Sequence, residues 1–399
     1  MKKLFRLGIV LLLASMILAA CGGEKSSSGG QSDSEGGGET PEVYKIGAIY
    51  SKTGAASPLG EPEWNATLLL EEIINENGGV NGVPIKVILA DDESSPEKAI
   101  EEMNRLIHDE KVLVVLGSST TGASLAMKGI AMDNEVPMIS AAAAEQIVSP
   151  VEESKWVFKT PHSDRHAIER IYMYMNDVGY KKIGILSDSN AYGAEGLKML
   201  QQLAGDFGIE IVASEVYNTD DADMTAQLTK IKNANPDAIV VWGTNPGPAI
   251  AAKNMKELGI NIPYIGSHGI GNNTFIELAG DGAEGVVIPT GKLLVPTEID
   301  EDDPQYEIIS EFYNAYMERY GSEPTNFGSY AYDNLLLAVE ALKNGATDRA
   351  SIRDFLEKNI KDFVATTGIF NFSESDHNGL SADSMVMAVV KDGKWTRLD

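Results

Sequence analysis

Apolar and polar positions alternate along this chain with two periods that take turns. Residues 45–50 (KIGAIY) form a short apolar run that predicts a buried strand. Ala66, Leu69, Leu70, Ile73 and Ile74 then fall at i, i+3, i+4, i+7, i+8, one face of a helix. That helix should stop at Asn77-Gly78-Gly79, where glycine accepts a left-handed C-cap. Residues 85–90 form the next strand. Ser95-Pro96-Glu97 then opens a helix with a cap, a proline in the first turn and an acid at the positive end. Ala99, Met103, Leu106 and Ile107 make its inner face. Residues 112–116 are all apolar, as in a central parallel strand covered on both faces. A helix over about 122–133 and a strand at 137–139 complete a first unit.

The rhythm then starts again. Strands are predicted at 182–186, 210–216, 238–242 and 264–265, and helices at 191–207, 224–234 and 248–258. Helices near 304–320, 327–343 and 351–360 follow. A hairpin of 385–390 with 395–398, turning at Asp392-Gly393, ends the chain. Strand–helix alternation of this kind means parallel sheets with helices on both faces. Two such arrays predict an α/β protein of two doubly wound parallel-sheet lobes.

The segment before residue 43 is different in kind. Lys2, Lys3 and Arg6 precede an apolar run over 7–18, and Leu18-Ala19-Ala20 precedes Cys21, the single cysteine of the chain. Residues 1–20 read as a secretory signal peptide with a small-residue cleavage site. The run falls short of the ~20 residues that a membrane span needs. A cysteine at the cut resembles a bacterial lipoprotein signal, which implies a lipidated Cys21 at the mature N-terminus. Residues 21–42 are nearly all Gly, Ser, Glu, Lys, Gln and Asp and read as a flexible tether. With Cys21 lipidated, no thiol is left for disulfides, metals or catalysis.

The whole chain carries 32 basic and 59 acidic residues, a formal charge of −27, and losing the signal peptide removes three cations and no acid. Such a surface repels nucleic acid and excludes it as a partner. Gly122-Ala123-Ser124-Leu125-Ala126 approaches a nucleophile elbow but lacks the second glycine, so it reads as a serine in the first turn of a helix. His162 and His166 are spaced i, i+4 without the H-E-x-x-H that would make them metal ligands. Asp220-Asp221-Ala222-Asp223 and residues 300–303 lack EF-hand spacing and read as helix caps. No catalytic set, metal site or cofactor motif is assembled. Binding is better supported. The strand at 112–116 runs into Gly117-Ser118-Ser119-Thr120-Thr121-Gly122, and ligands of open parallel sheets lie beyond such strand ends. A helix N-terminus rich in hydroxyls suits an anion such as a carboxylate; a plain Ser/Thr cap is the alternative.

Asn75-Glu76-Asn77-Gly78-Gly79-Val80-Asn81-Gly82 resembles the helix-to-strand turn of the leucine/isoleucine/valine-binding protein family. Further segments are similar, in the same order: Asp91-Asp92, Gly117 to Thr121, Pro137 to Ala142, Asp188 to Gly193, Pro236-Asp237-Ala238 and Tyr332-Asp333. The resemblance spans nearly all of 43–398. It implies an extracytoplasmic solute receptor of an ABC importer, with two lobes joined by a three-strand hinge and a ligand in the cleft between them. It implies a lobe 1 of 43–161 and 289–370, and a lobe 2 of 162–288 and 371–399. Its partners would be a small carboxylate, the permease subunits and, through the lipid alone, a membrane; the receptor would act as a monomer. A ligand sensor feeding a signalling partner is the alternative on the same fold.

The resemblance also implies site residues. Thr121 matches a serine whose hydroxyl and N–H hold the ligand carboxylate, with Ser119 and Thr120 beside it. Ala142 matches a main-chain contact, and Tyr192 a tyrosine reaching across from the second lobe. Leu59 falls where relatives carry a pocket aromatic, with Trp64 just beyond. Two positions depart from amino-acid binders. Ala144 stands in place of a ligand-contacting threonine. In Trp242-Gly243-Thr244-Asn245-Pro246-Gly247, Gly247 stands in place of the glutamate that pairs with the ammonium group. An ammonium buried without a carboxylate costs several kcal/mol. Thr244, Asn245 and His268 are then expected in a pocket for an aromatic or other carboxylate without a free α-amino group; a solvent-facing His268 is the alternative.

Overall fold

The computed structural model describes residues 42–398. The expected signal peptide, Cys21 and all but the last residue of the expected tether lie outside them. The first sheet consists of β1 (Tyr44–Tyr50), β2 (Ile85–Asp91), β3 (Val115–Gly117), β4 (Met138–Ser140) and β5 (Val157–Lys159). Its order is β2-β1-β3-β4-β5 and every pairing is parallel. The second consists of β6 (Lys182–Asp188), β7 (Glu210–Tyr217), β8 (Ala238–Trp242), β9 (Tyr264–Gly266) and β10 (Val287–Thr290), which pair in parallel. A two-stranded sheet of β11 (Phe363–Val364) and β12 (Ile369–Phe370) comes next in the chain. Then β13 (Val386–Lys391) and β14 (Lys394–Leu398) extend the second sheet antiparallel beyond β10. The five parallel strands of this sheet repeat the order of the first. Each sheet therefore has its topological switch point between its first and third strands, where open α/β sheets bind ligands.

Helices cover both faces of both sheets, as the alternation predicts. In lobe 1, α2 (Pro96–His108) and α3 (Thr121–Asp133) bury Met103, Leu106 and Met127 on one face. The other face is covered by α1 (Ser57–Glu76), together with the late helices α9 (Tyr306–Tyr320), α10 (Asn326–Lys343) and α11 (Arg349–Asn359). In lobe 2, α4 (Asp164–Val178) and α5 (Ala191–Ala204) pack on one face. On the other lie α6 (Thr225–Asn233), α7 (Gly247–Glu257) and α8 (Asn273–Ala279). Local chemistry sets several ends. The Ser95 hydroxyl accepts the Lys98 N–H at 3.2 Å to start α2. The Asp392-Gly393 turn has φ of 52° and 72°, the pair of positive values that a type I′ hairpin requires.

The chain crosses between the lobes three times, and two crossings differ from the expected positions. Thr290 is still paired within the second sheet, so the second crossing comes after it and not at 289. Phe372 and Leu380 are buried in the lobe 1 core, and Met385 is the first return to the lobe 2 core. The third crossing therefore lies beyond Leu380, not at 371. His377 anchors the extra segment to lobe 1. Its ring stacks on Phe158 with centroids 4.1 Å apart, and its Nδ1 lies 2.9 Å from the Val157 carbonyl. Sequence periodicity also missed α4, α8 and the short strands β5, β10, β11 and β12.

Candidate ligand-binding site

A cavity of about 780 Å³ lies between the lobes, within the range of small-molecule sites. Its wall comes from both switch points. From lobe 1 come Ser119, Thr120 and Thr121 after β3, Ala142 after β4, and Leu59 of α1. From lobe 2 come Tyr192 after β6, Thr244 and Asn245 after β8, and His268 after β9. Nine of the eleven candidate ligand residues thus border one space. Ala144 and Trp64 do not. Ala144 caps a short 3-10 turn and is fully buried in the α2–α3 core. Trp64 lies five residues beyond Leu59 on α1, so its side chain is rotated by about 140° from it. It packs instead under Lys52, whose Nζ sits 4.4 Å above the ring.

The lobe 1 wall is a graded set of hydroxyls. Ser119 is committed on both sides: its Oγ accepts the Ser51 N–H at 2.9 Å and donates to the Glu63 carboxylate. Glu63 is fully buried, and burial, with the neighbouring Asp92, raises its pKa well above the ordinary carboxylate value. Thr120 caps α3 by accepting the Ala123 N–H at 3.3 Å. Thr121 opens that helix, where the first N–H groups have no intrahelical partner and the dipole is positive. The Ala142 N–H is spent on Ser140 Oγ at 3.0 Å, leaving its carbonyl as the main-chain group on offer.

The lobe 2 wall is aromatic. Tyr192, Trp242 and His268 form a triangle with centroid separations of 5.6, 5.9 and 5.8 Å. Trp242 lies behind the other two, fully buried. Burial and the neighbouring Lys159 and His166 press the His268 pKa down to about 3, so the imidazole is neutral at physiological pH. Asp220 and Asp221 are the carboxylates of the wall. Asp220 is exposed and Asp221 half-buried, accepting the Asn218 N–H at 2.8 Å.

The late helix α10 adds Phe327 and Tyr330, which the sequence reading missed. They sit i, i+3 apart at the start of that helix, a spacing that shows a helix face without showing that the face meets a cavity. Near the first crossing, Lys159 and Asp164 are both fully buried. Burial pushes the Lys159 pKa down and the Asp164 pKa up.

A sequence profile described as periplasmic binding protein matches residues 43–394. The chain belongs to that family. A leucine-, isoleucine-, valine-, threonine- and alanine-binding protein of Pseudomonas aeruginosa is 25% identical over 344 residues, 84% of this chain and 86% of that one. An extracellular ligand-binding receptor of Rhodopseudomonas palustris superposes with a TM-score of 0.83 at 31% identity, covering 89% of this chain and 99% of that one. The branched-chain amino acid transporter substrate-binding protein LivJ of Streptococcus pneumoniae, solved with isoleucine, superposes at 0.78 and 27% identity, covering 89% and 100%. The fold and the family thus agree with the resemblance read from the sequence. This periplasmic binding protein has no helix among the described residues that is long and apolar enough to cross a membrane.

Proposed function

We propose that this protein is the lipid-anchored, extracytoplasmic receptor of an ABC importer, and that its ligand is a small carboxylate without a free α-amino group. The observation that carries the ligand reading is the make-up of the wall. Hydroxyls and the α3 N-terminus supply an anion site on lobe 1, while the acids that lobe 2 brings to the wall, Asp220 and Asp221, are not buried ones. Gly247, where the resemblance implies a glutamate in amino-acid binders, lies outside the wall. A Cβ there would sit 2.5 Å from the Tyr217 ring, so a side chain at this position collides with an aromatic already in place. The neutral His268 and the ring of Tyr192 suit an uncharged, flat or apolar ligand body.

Lobe 1 holds the carboxylate and lobe 2 closes over the remainder by bending at the three crossings. The closed form gains from ligand contacts with both lobes. No covalent step and no cofactor enters. A second reading is favoured by Asp220 and Asp221: these rim acids would meet the ammonium of an amino acid, as binding by the Pseudomonas and Streptococcus relatives suggests. Calorimetry with leucine, isoleucine, valine and benzoate separates the two. Tighter binding of benzoate than of any of the amino acids is expected. Sub-micromolar leucine binding would overturn the carboxylate reading in favour of the rim acids.

A further inference from the structure

Two buried side chains hold the first crossing between the lobes. Lys159 ends β5 and is fully buried. Its Nζ donates to the Ala143 carbonyl at 2.7 Å and to the Pro161 carbonyl at 3.0 Å. Asn378, 3% exposed, lies in the segment that precedes the third crossing. Its Nδ2 donates to the same Pro161 carbonyl at 2.9 Å and to the Lys159 carbonyl at 3.3 Å. Carbonyls only accept, so these two partners fix which end of the amide is nitrogen. Its Oδ1 accepts the hydroxyl of Ser163, the N-cap of α4 in lobe 2, at 3.0 Å. The Thr160 hydroxyl pins the lobe 1 end of the crossing to the Tyr330 carbonyl at 2.9 Å. His162 Nε2 lies 2.7 Å from Ser384 Oγ, which ties the first crossing to the third a second time.

The Ala143 end of this network belongs to the ligand wall. Ala141, Ala142 and Ala143 border the cavity. The same stretch meets the other lobe: Ala143 packs against the lobe 2 core, and Glu145 accepts from Arg165 Nε of α4 at 3.1 Å. Through one amine, Lys159 thus joins the stretch that touches cavity and lobe 2 to the segment that bends when the lobes part. Burying that amine costs free energy that an apolar residue at the end of β5 would avoid, and what it supplies in return is fixed geometry. We propose that Lys159 and Asn378 are positioning residues for closure. Acting on the shared Pro161 carbonyl, they lock the Ala143 stretch of the wall to the first and third crossings, so that ligand contact and hinge bending are one event. This rests on the reading that the lobes close over the ligand.

The test reads closure and affinity separately. In a Cys21→Ser background, Glu101→Cys on α2 and Gln201→Cys on α5 carry spin labels; both positions are exposed and outside the cavity wall. Double electron–electron resonance then gives the distance between the lobes, without ligand and with leucine, isoleucine, valine or benzoate. Calorimetry with the same four compounds gives affinity, and thermal melts verify the fold. The parent should show a shorter distance when a compound binds. Lys159→Met and Asn378→Leu replace polar groups by apolar ones of similar size. Each should broaden the ligand-free distribution and weaken binding about tenfold, the effect of losing a buried hydrogen bond that holds the closed form. Together they should weaken binding by less than the product of the single effects, since both act on one carbonyl. A variant that is merely destabilised melts lower and keeps the parent's distances. Ligand-free distributions of both variants that overlay the parent's overturn the proposal, whichever compound binds, and leave the closure reading standing if the parent closes. A parent that binds one of these compounds at an unchanged distance removes the closure reading and this proposal together.

Discussion

Replacing Gly196 by alanine tests whether the packing behind the cavity governs both stability and binding. Gly196 lies on α5, directly over the indole of Trp242. A Cβ at this position would stand 2.0 Å from Nε1, 2.3 Å from Cδ1 and 2.4 Å from Cε2. Ordinary contact is about 3.5–4 Å, so ring or helix must shift by more than about 1 Å. Neither has slack. Trp242 also packs against Tyr192 and His268, and α5 is pinned one turn earlier, where a Cβ on Gly193 would fall 2.0 Å from the Asp188 carbonyl oxygen. Overpacking costs about 1–3 kcal/mol, and this site belongs at the upper end. At roughly 1.3 °C per kcal/mol for a chain of this size, the melting temperature should fall by about 4 °C. Displacing Trp242 also tilts Tyr192 and His268, so ligand affinity should drop about tenfold, the worth of one mispositioned hydrogen bond. Differential scanning calorimetry and titration calorimetry read the two effects. In a double-mutant cycle with Trp242→Leu, the alanine should cost little once the indole is gone, a coupling of about 2 kcal/mol. A Gly196→Ala protein that melts within about 1 °C of the parent and binds as well would refute the reasoning.

Four further outcomes are expected. Thr121→Val keeps the shape of the α3 N-terminus and removes the hydroxyl; carboxylate affinity should fall about tenfold by calorimetry, with the melting temperature little changed. Glu63 binds its proton more tightly folded than unfolded, so its contribution to stability is fully present below its ordinary value of 4.5 and declines as pH rises through the raised folded value. Urea midpoints of the parent should therefore lose ground to Glu63→Gln as pH climbs from 4 to 8, and parallel curves would show that Glu63 is not the cause. Asp333 receives the Thr366 N–H at 3.0 Å, the Thr366 hydroxyl at 2.8 Å and the Thr367 N–H at 2.7 Å. Asp333→Asn sets an amide NH₂ against one of these donors and should cost about 2–3 kcal/mol in urea unfolding. Cys21→Ser should shift the protein from the membrane to the soluble fraction in cell fractionation, with the ligand affinity of the purified protein unchanged.

What was legible in the sequence follows from element length. Helices such as α1, α2 and α10 carry enough turns to display their period, and the alternation with strands identified the α/β class. Three-residue strands such as β4 and β5 contain too few positions to show a period of two, and their burial comes from tertiary packing. The run at 112–116 illustrates this: the ladder begins only at Val115, because Lys111 with φ of 56° and the Val112 N–H turned back to Leu106 O keep the first residues out of regular strand. Ser119, Thr120 and Thr121 stood out because three hydroxyls at one strand end are unusual chemistry. Phe327 and Tyr330 did not, since two aromatics at helical spacing read as core and nothing local marks the face that meets the cavity. Trp64 was misplaced by counting distance along the chain rather than angle around α1. The late third crossing was hidden because Phe372, His377 and Leu380 give no local sign of which core they enter.

The crossings also bear on the order in which the protein can mature. Pairing of β10 with β13 joins Val287 to Val389, and α1 rests on α10, far downstream. Each lobe is thus finished by a segment that follows part of the other. A chain emerging N-terminus first cannot seal lobe 1 before α10 appears, nor cap the β10 edge before its last strands arrive. Any ribosomal or translocation intermediate lacking β13 and β14 exposes a bare sheet edge, a template for misassembly. Arrival of β13 and β14 is therefore the checkpoint for a finished lobe 2, and neither lobe can be cut out as one continuous stretch of sequence.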